Sequence, residues 1–301
     1  MEVEFKDLTL DDKEIINSYL SLSNSESCEY NFNTMYIWNS SFKTKYYATD
    51  EFLVFLNEHN GEYYTIMPLC SEENHIKAFE FIYKVFNEQL NKKLVMYAVD
   101  ENFSKSIKKE YKDKFNIKKD KDNFDYIYDG ENLRRLKGKK FNKKRNHVNG
   151  FLRDYKDNYE YRRLTSNDLD EVNECLEQWN DNKDENLSKR LKTEAIGISN
   201  IIKNIEKLDV KASGVWIDNK LEAFTIGSYG NTTEQAIIHI EKANANIRGL
   251  YNFINQLFLL KEYTEVDTVN REDDLGIPGI RKAKMSYRPI RFVRKYNIIE
   301  I

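Results

Sequence analysis

Gly214-Val-Trp-Ile217-Asp218-Asn219-Lys-Leu221-Glu-Ala-Phe-Thr-Ile-Gly-Ser-Tyr229-Gly230-Asn231-Thr-Thr-Glu-Gln235-Ala-Ile-Ile-His239-Ile-Glu241 reads as three consecutive strands. Its three apolar runs have strand length and are rich in β-branched and aromatic residues. Asp218-Asn219 and Gly230-Asn231 separate them, and such pairs tolerate the positive φ of a hairpin turn. On the N-terminal side, residues 159–164 alternate like a half-buried strand. Leu169, Val172, Leu176 and Trp179 then share one helical face, and Leu191, Ile198, Ile201, Ile205 and Leu208 another. On the C-terminal side come a helix over 250–261, a strand over 265–269, a basic helix and a final strand over 290–296.

The first half of the chain has the same order. A strand near Phe5, helices over 10–22 and 31–38, and strands over 44–48, 52–57 and 63–67 are predicted, with Asn60-Gly61 as a hairpin turn. A helix over 74–90, a strand over 94–99, a helix to about Tyr111 and strands near Phe115 and over 124–128 follow. Strand, helices, three-strand meander, helix, strand, helix, strand resembles the N-acyltransferase fold related to the GCN5 family (GNAT). Seen twice, it predicts an α+β chain of two tandem GNAT-like domains, each a mixed sheet flanked by helices. The expected division is a non-catalytic domain over 1–132, a basic linker helix over 133–156, and a domain carrying the site over 157–301. Residues 243–249 connect the second meander to its helix, and the equivalent connection in the first half, Pro68-Leu69-Cys70-Ser71-Glu72-Glu73, offers acids where an anion would need donors.

With 301 residues, 32% charged and 40% hydrophobic, the chain has the composition of a globular protein. A net charge of −3 restricts any polyanion binding to a local patch. Cys28, Cys70 and Cys175 are far apart and the four histidines form no paired motif, so neither a disulfide framework nor a metal site is expected. No apolar run is long enough to span a bilayer and the N-terminus lacks a signal-peptide pattern; a cytoplasmic protein, at most peripheral to a membrane, is expected.

Three stretches concentrate chemistry. The meander ends in His239-Ile-Glu241-Lys242, and the loop Ala243-Asn-Ala-Asn-Ile-Arg248-Gly249 opens the next helix. Free N–H groups and the helix dipole favour an anion there, with Lys242 and Arg248 as additional donors. An ordinary polar connection explains the loop equally well. In Asn270-Arg271-Glu272-Asp273-Asp274-Leu275-Gly276-Ile277-Pro278, three acids leave a strand and meet a helix whose first turn suits Pro278. Glu272, Asp273 and Glu241 are the candidate general bases. Asn270, Arg271, Asp274, Arg281, Lys282, Lys284 and Tyr287 are candidate substrate contacts, with Ile280, Ala283 and Tyr287 predicted to face inward. Mutual neutralisation of an acidic loop and a basic helix is the competing account. Finally, residues 132–153 hold nine basic residues and no acid, with Phe141, Val148, Leu152 and Tyr155 at helical spacing. Lys140, Lys143, Lys144, Arg145, Asn146 and His147 are the candidate phosphate or nucleic-acid contacts, against the alternative of a solvated face.

Leu136-Lys-Gly-Lys-Lys-Phe-Asn-Lys-Lys-Arg-Asn-His147, His239-Ile-Glu-Lys-Ala243 with Arg248-Gly249, and Asn270-Arg-Glu-Asp-Asp-Leu-Gly276 through Lys284-Met-Ser-Tyr-Arg-Pro289 resemble the DUF2156 family. Cys28-Glu-Tyr-Asn-Phe32 and Tyr36-Ile-Trp38 fit it too. That family is similar to the C-terminal domain of phosphatidylglycerol lysyltransferases. The resemblance implies transfer of an aminoacyl group from aminoacyl-tRNA to an amine or hydroxyl of a small-molecule, lipid or peptide acceptor. Arg248, Arg281, Lys282 and Lys284 would steady phosphate or oxyanion charge, and the basic helix would face the tRNA. Acyl-CoA as the donor, and a non-catalytic tRNA- or nucleotide-binding module, are the alternatives.

Overall fold

The computed structural model describes residues 2–23, 25–180 and 185–301, without the side chains of 179, 180 and 185–190. The predicted apolar position of Trp179 therefore lies outside the described residues. The chain divides into two compact units. One comprises Met1–Asp125, Asp273–Ile277 and Phe292–Ile301, and the other Tyr126–Glu272 and Pro278–Arg291.

The sheet of the first unit runs Lys6–Asp7, Lys45–Ala48, Phe52–His59, Glu62–Ile66, Val95–Val99, Tyr296–Glu300, Phe115–Lys119. The last strand of the chain is thus inserted antiparallel between two strands of the first half. In the second unit the order is Asp125–Asp129, Thr268–Asn270, Gln235–Ala243, Lys220–Tyr229, Val210–Ile217, Tyr159–Arg163. Each half therefore gives its closing strand to the other half's sheet, which the local sequence pattern does not disclose. The expected boundaries change accordingly. The supposed linker is two helices, Gly130–Arg135 and Asn142–Tyr155, separated where Leu136 and Gly138 take positive φ. Leu133, Phe141, Val148 and Phe151 pack into the second unit's core with Leu250, Phe253 and Phe258. The apolar face expected to dock does so, and it forms a wall of this core rather than a bridge between domains.

The meander forms as expected. Asp218 and Asn219 both have positive φ, closing a two-residue hairpin between Ile217 and Lys220. The two halves also share a motif at residue level. Lys6-Asp-Leu-Thr9-Leu-Asp-Asp12 and Arg162-Arg-Leu-Thr165-Ser-Asn-Asp168 place a base, a leucine, a threonine and an aspartate at the same spacing. In each, the aspartate accepts from the threonine N–H at 2.8 Å and from its hydroxyl, forming a capping box. Lys6 and Arg162 then neutralise Asp12 and Asp168 respectively. Both carboxyls are held below the usual aspartate range, because these hydrogen bonds outweigh the upward push of burial; Asp12 reaches about 2.

Two irregularities in the second sheet prepare its site. Gly227 pairs with Ile238 while Ile226 pairs with Ile240, so His239 is the extra residue of a β-bulge. A Cβ at Gly227 would lie 2.8 Å from the Ile237 carbonyl oxygen, which explains glycine there. The bulge changes which side chains face the core: Ala236 and Ile238 before it and Ala243 after it enter one cluster. Secondly, the parallel pairing of Gln235–Ala243 with Thr268–Asn270 ends at Ile237 and Asn270. Beyond Asn270 the chain stays bonded to Tyr126, through the Arg271 N–H and the Glu272 carbonyl. The two parallel strands part there, between His239 and Glu241 on one side and Arg271 and Glu272 on the other.

Candidate active site

At the bulge the His239 Nε2 lies 2.8 Å from the Ser228 hydroxyl, and its Nδ1 lies 3.0 Å from the Glu272 carboxylate. Glu272 takes a positive φ, and its N–H donates to the Asn270 side chain at 2.7 Å. Asn270 is fully buried, so the strained turn is anchored in the core. A carboxylate accepts from Nδ1–H, which fixes the ring's tautomer and orientation. Exposure decides which member meets a ligand: Ser228 is 1% exposed, the His239 side chain 1% and the Glu272 side chain 17%. The carboxylate is therefore the reachable end. Ser228 then gives its one hydroxyl proton to the bare Nε2 and holds the imidazole from behind. The order is that of a supported base, with no serine presented as a nucleophile.

The other side of the gap is held by Glu241. It accepts from Arg271 at 3.0 Å and from the Asn255 amide at 2.8 Å. The Arg271 guanidinium lies 5.0 Å from the centre of the Tyr287 ring and 5.8 Å from that of Tyr128. Lys144 places its ammonium 3.9 Å from the Tyr287 ring centre. Burial, and then Arg271, push that ammonium down to about 8 against the raising pull of Glu241. Burial pushes the Tyr287 phenol up to about 12, and its oxygen accepts from Asn252 at 2.5 Å. Lys284 donates to the Arg271 carbonyl and Tyr128 to the Lys284 carbonyl, tying the basic helix to this cluster.

The structure thus brings together Glu241, Glu272, Asn270, Arg271, Lys284, Tyr287 and Lys144, all in the second unit. Asp273 and Asp274 belong to the first unit, where their carboxylates accept the Leu275 and Gly276 N–H groups of their own turn. Lys242 is buried and donates to Glu194 at 2.6 Å, so its charge is spent away from the loop it was expected to serve. Arg248 is exposed. The Asn246, Ile247 and Leu250 N–H groups bond within their own segment, which leaves fewer donors for an anion than predicted. Arg281 and Lys282 are exposed on the Pro278–Met285 helix. No residue of that helix is buried, so Ile280 and Ala283 do not form the predicted inward face, and Tyr287 alone turns in. On the Asn142–Tyr155 helix and the turn before it, Lys140, Lys143, Asn146 and His147 are exposed. Arg145 instead donates to the Leu136 and Gly138 carbonyls and the Asn142 side chain, closing the preceding turn.

Sequence reasoning missed Ser228, which meets His239 across a bulge, and Asn255 and Tyr128, which reach Glu241 and Arg271 from a helix and another strand; contacts between elements have no local signature. It also missed a buried cluster in the first unit, where Lys295 lies 2.6 Å from Asp125 and 2.7 Å from Glu29, with the Cys28 sulfur at 3.7 Å. Cys28, Glu29 and Asp125 could together ligate a cation, and the lysine ammonium supplies that charge. A groove of about 900 Å³, lined in part by Glu2, Asp7, Lys43, Lys45 and Asn57, also opens in the first unit and contains none of the predicted site residues.

Among solved structures, a conserved protein of unknown function from Bacteroides thetaiotaomicron VPI-5482 is similar over 100% of both chains, with 29% identity and a TM-score of 0.90. L-PGS from Bacillus licheniformis shares the fold at a TM-score of 0.68 and 12% identity, over 99% of this chain and 94% of that one. A tandem GNAT protein from the clavulanic acid biosynthesis pathway does so at 0.53 and 10%, over 99% and 98%. The tandem GNAT-like architecture read from element order is therefore present. An uncharacterized protein of Mycoplasmoides gallisepticum is 25% identical over 175 residues, which are 58% of this chain and only 55% of that protein's length. No described helix is long and apolar enough to cross a membrane. A family model described as phosphatidylglycerol lysyltransferase, C-terminal, matches residues 20–299, and the chain belongs to that family of transferases.

Proposed function

We propose that this chain moves an aminoacyl group from aminoacyl-tRNA to an amine or hydroxyl acceptor, at the gap between the parted strands of the second unit. The observation that carries the reading is Glu272: a carboxylate at the gap, oriented by a buried histidine and a strained, anchored turn. In the transfer, the acceptor nitrogen or oxygen bonds to the acyl carbon while Glu272 takes its proton. The ester bond to the donor ribose breaks, and the departing oxygen regains a proton. Exposed Lys140 and Lys143, with Asn146 and His147, offer a basic face for the RNA. Membership of a transferase family and the tandem GNAT-like fold support the reaction class.

Donor choice is the test. Purified protein would be incubated with a mixed aminoacyl-tRNA pool and, separately, with acetyl-CoA, each with a panel of amine and hydroxyl acceptors. Acceptor-dependent loss of label from tRNA is the expected result. Consumption of acetyl-CoA alone would replace this reading with the acyl-CoA alternative, and RNA binding without turnover of either donor would reduce the protein to a binding module.

A further inference from the structure

The chemistry at Glu272 leaves the opposite wall of the gap unused, and its charges do not balance. Lys144 and Arg271 bring two positive charges against the single carboxylate of Glu241. Lys144 has no hydrogen-bond or ion-pair partner among the described residues, only the ring of Tyr287. Arg271 spends one terminal nitrogen on Glu241, and its other, Nη1, is buried without a hydrogen-bond partner. Asn255 is 2% exposed, and its amide must turn Nδ2 towards Glu241 because the carboxylate only accepts. Its Oδ1 is then left buried and unpartnered as well. A buried donor without an acceptor is costly, and so is a half-buried ammonium beside a guanidinium. Together they describe a place whose missing component is negatively charged and carries a hydrogen-bond donor.

We infer that Lys144, Arg271 and Asn255 form a subsite for a singly charged oxyanion, a carboxylate or a phosphodiester, borne by a ligand with a neighbouring hydroxyl or N–H. Lys144, Arg271 and Lys284 less the carboxylates of Glu241 and Glu272 leave a single positive charge, which one negative charge neutralises. Lys144 Nζ and Arg271 Nη1 are the donors and Asn255 Oδ1 the acceptor, while Tyr287 supplies an apolar floor. The inference rests on charge and packing alone and stands whether or not Glu272 transfers anything.

A structural lysine and a ligand-binding lysine respond oppositely to removal. An ammonium disfavoured by its surroundings destabilises the empty protein at neutral pH, so K144M is expected to melt no lower than wild type. Titration of Lys144, followed by NMR of lysine labelled at the ε-carbon in the full chain, gives the second readout. Dimethyl phosphate or acetate should raise its midpoint without moving that of exposed Lys143, and K144M should bind the effective probe about tenfold more weakly. A stronger effect of dimethyl phosphate assigns the site to a phosphodiester, and a stronger effect of acetate to a carboxylate. A Lys144 midpoint unmoved by both probes, or a K144M protein that melts well below wild type, would overturn the inference. Tighter binding of dianionic inorganic phosphate would overturn the assignment of a single charge.

Discussion

Lys295 shows how one side chain fixes what a stretch of sequence leaves open. It is 1% exposed, and burial acts to lower its pKa, yet Asp125, Cys28 and Glu29 hold it well above the ordinary lysine value. Removing one partner of a buried pair leaves an uncompensated charge, so K295M is expected to lose roughly 3–5 kcal/mol of stability, measured by denaturant unfolding. Because the folded-state value is raised, the lysine's contribution is complete below its unfolded value near 10.5 and is lost as the pH climbs through the elevated one. Wild-type stability should therefore fall at strongly alkaline pH, and K295M should lack that part of the fall. Nothing in the sequence announces the contact, because Cys28 and Lys295 are 267 positions apart. Glu272 is the opposite case. Its place after a strand end and beside two further acids marked it as unusual, and only the bulge at His239 shows what orients it.

Helices and turns were largely legible, since their signals are local. The Asp218-Asn219 turn, Pro278 opening its helix and the three-strand meander all stand where the pattern puts them. The capping boxes at Thr9 and Thr165 were equally local and identify the internal repeat more directly than element order does. Replacing Thr165 by Ala should cost about 1 kcal/mol, and Thr9→Ala a similar amount, readable as separate losses in hydrogen-exchange protection of the two units. Gly249 caps the Leu250–Glu262 helix at φ 86°, where a Cβ would stand 2.2 Å from the His147 carbonyl oxygen. G249A should thus destabilise the protein by about 1–3 kcal/mol and loosen the Asn142–Tyr155 helix, seen as faster amide exchange there. The reading of Ile280 and Ala283 as an inward face failed for a physical reason: helical spacing gives a face but does not say what covers it.

At the scale of the molecule, the tandem order was visible in the sequence and the exchange of closing strands was not. A strand's own residues do not name its neighbour, and Tyr296–Glu300 alternates no differently for lying in the first sheet. Deleting residues 294–301 should therefore unfold the first unit, by exposing the edges of Val95–Val99 and Phe115–Lys119 and removing Lys295, although the deletion lies at the far end of the chain. Loss of exchange protection in those two strands would register it. The basic segment was legible in part: the helical spacing of Phe141, Val148, Leu152 and Tyr155 marked the face that docks, and only its place in the second unit's core lay beyond the sequence. The central claim, that the gap in the second sheet is where transfer occurs, is tested most directly by single-turnover transfer from aminoacyl-tRNA with wild type, E272Q and H239Q. The account predicts that E272Q is slower by about 10²-fold or more, with H239Q intermediate and both proteins folded. Wild-type rates in folded E272Q would contradict it.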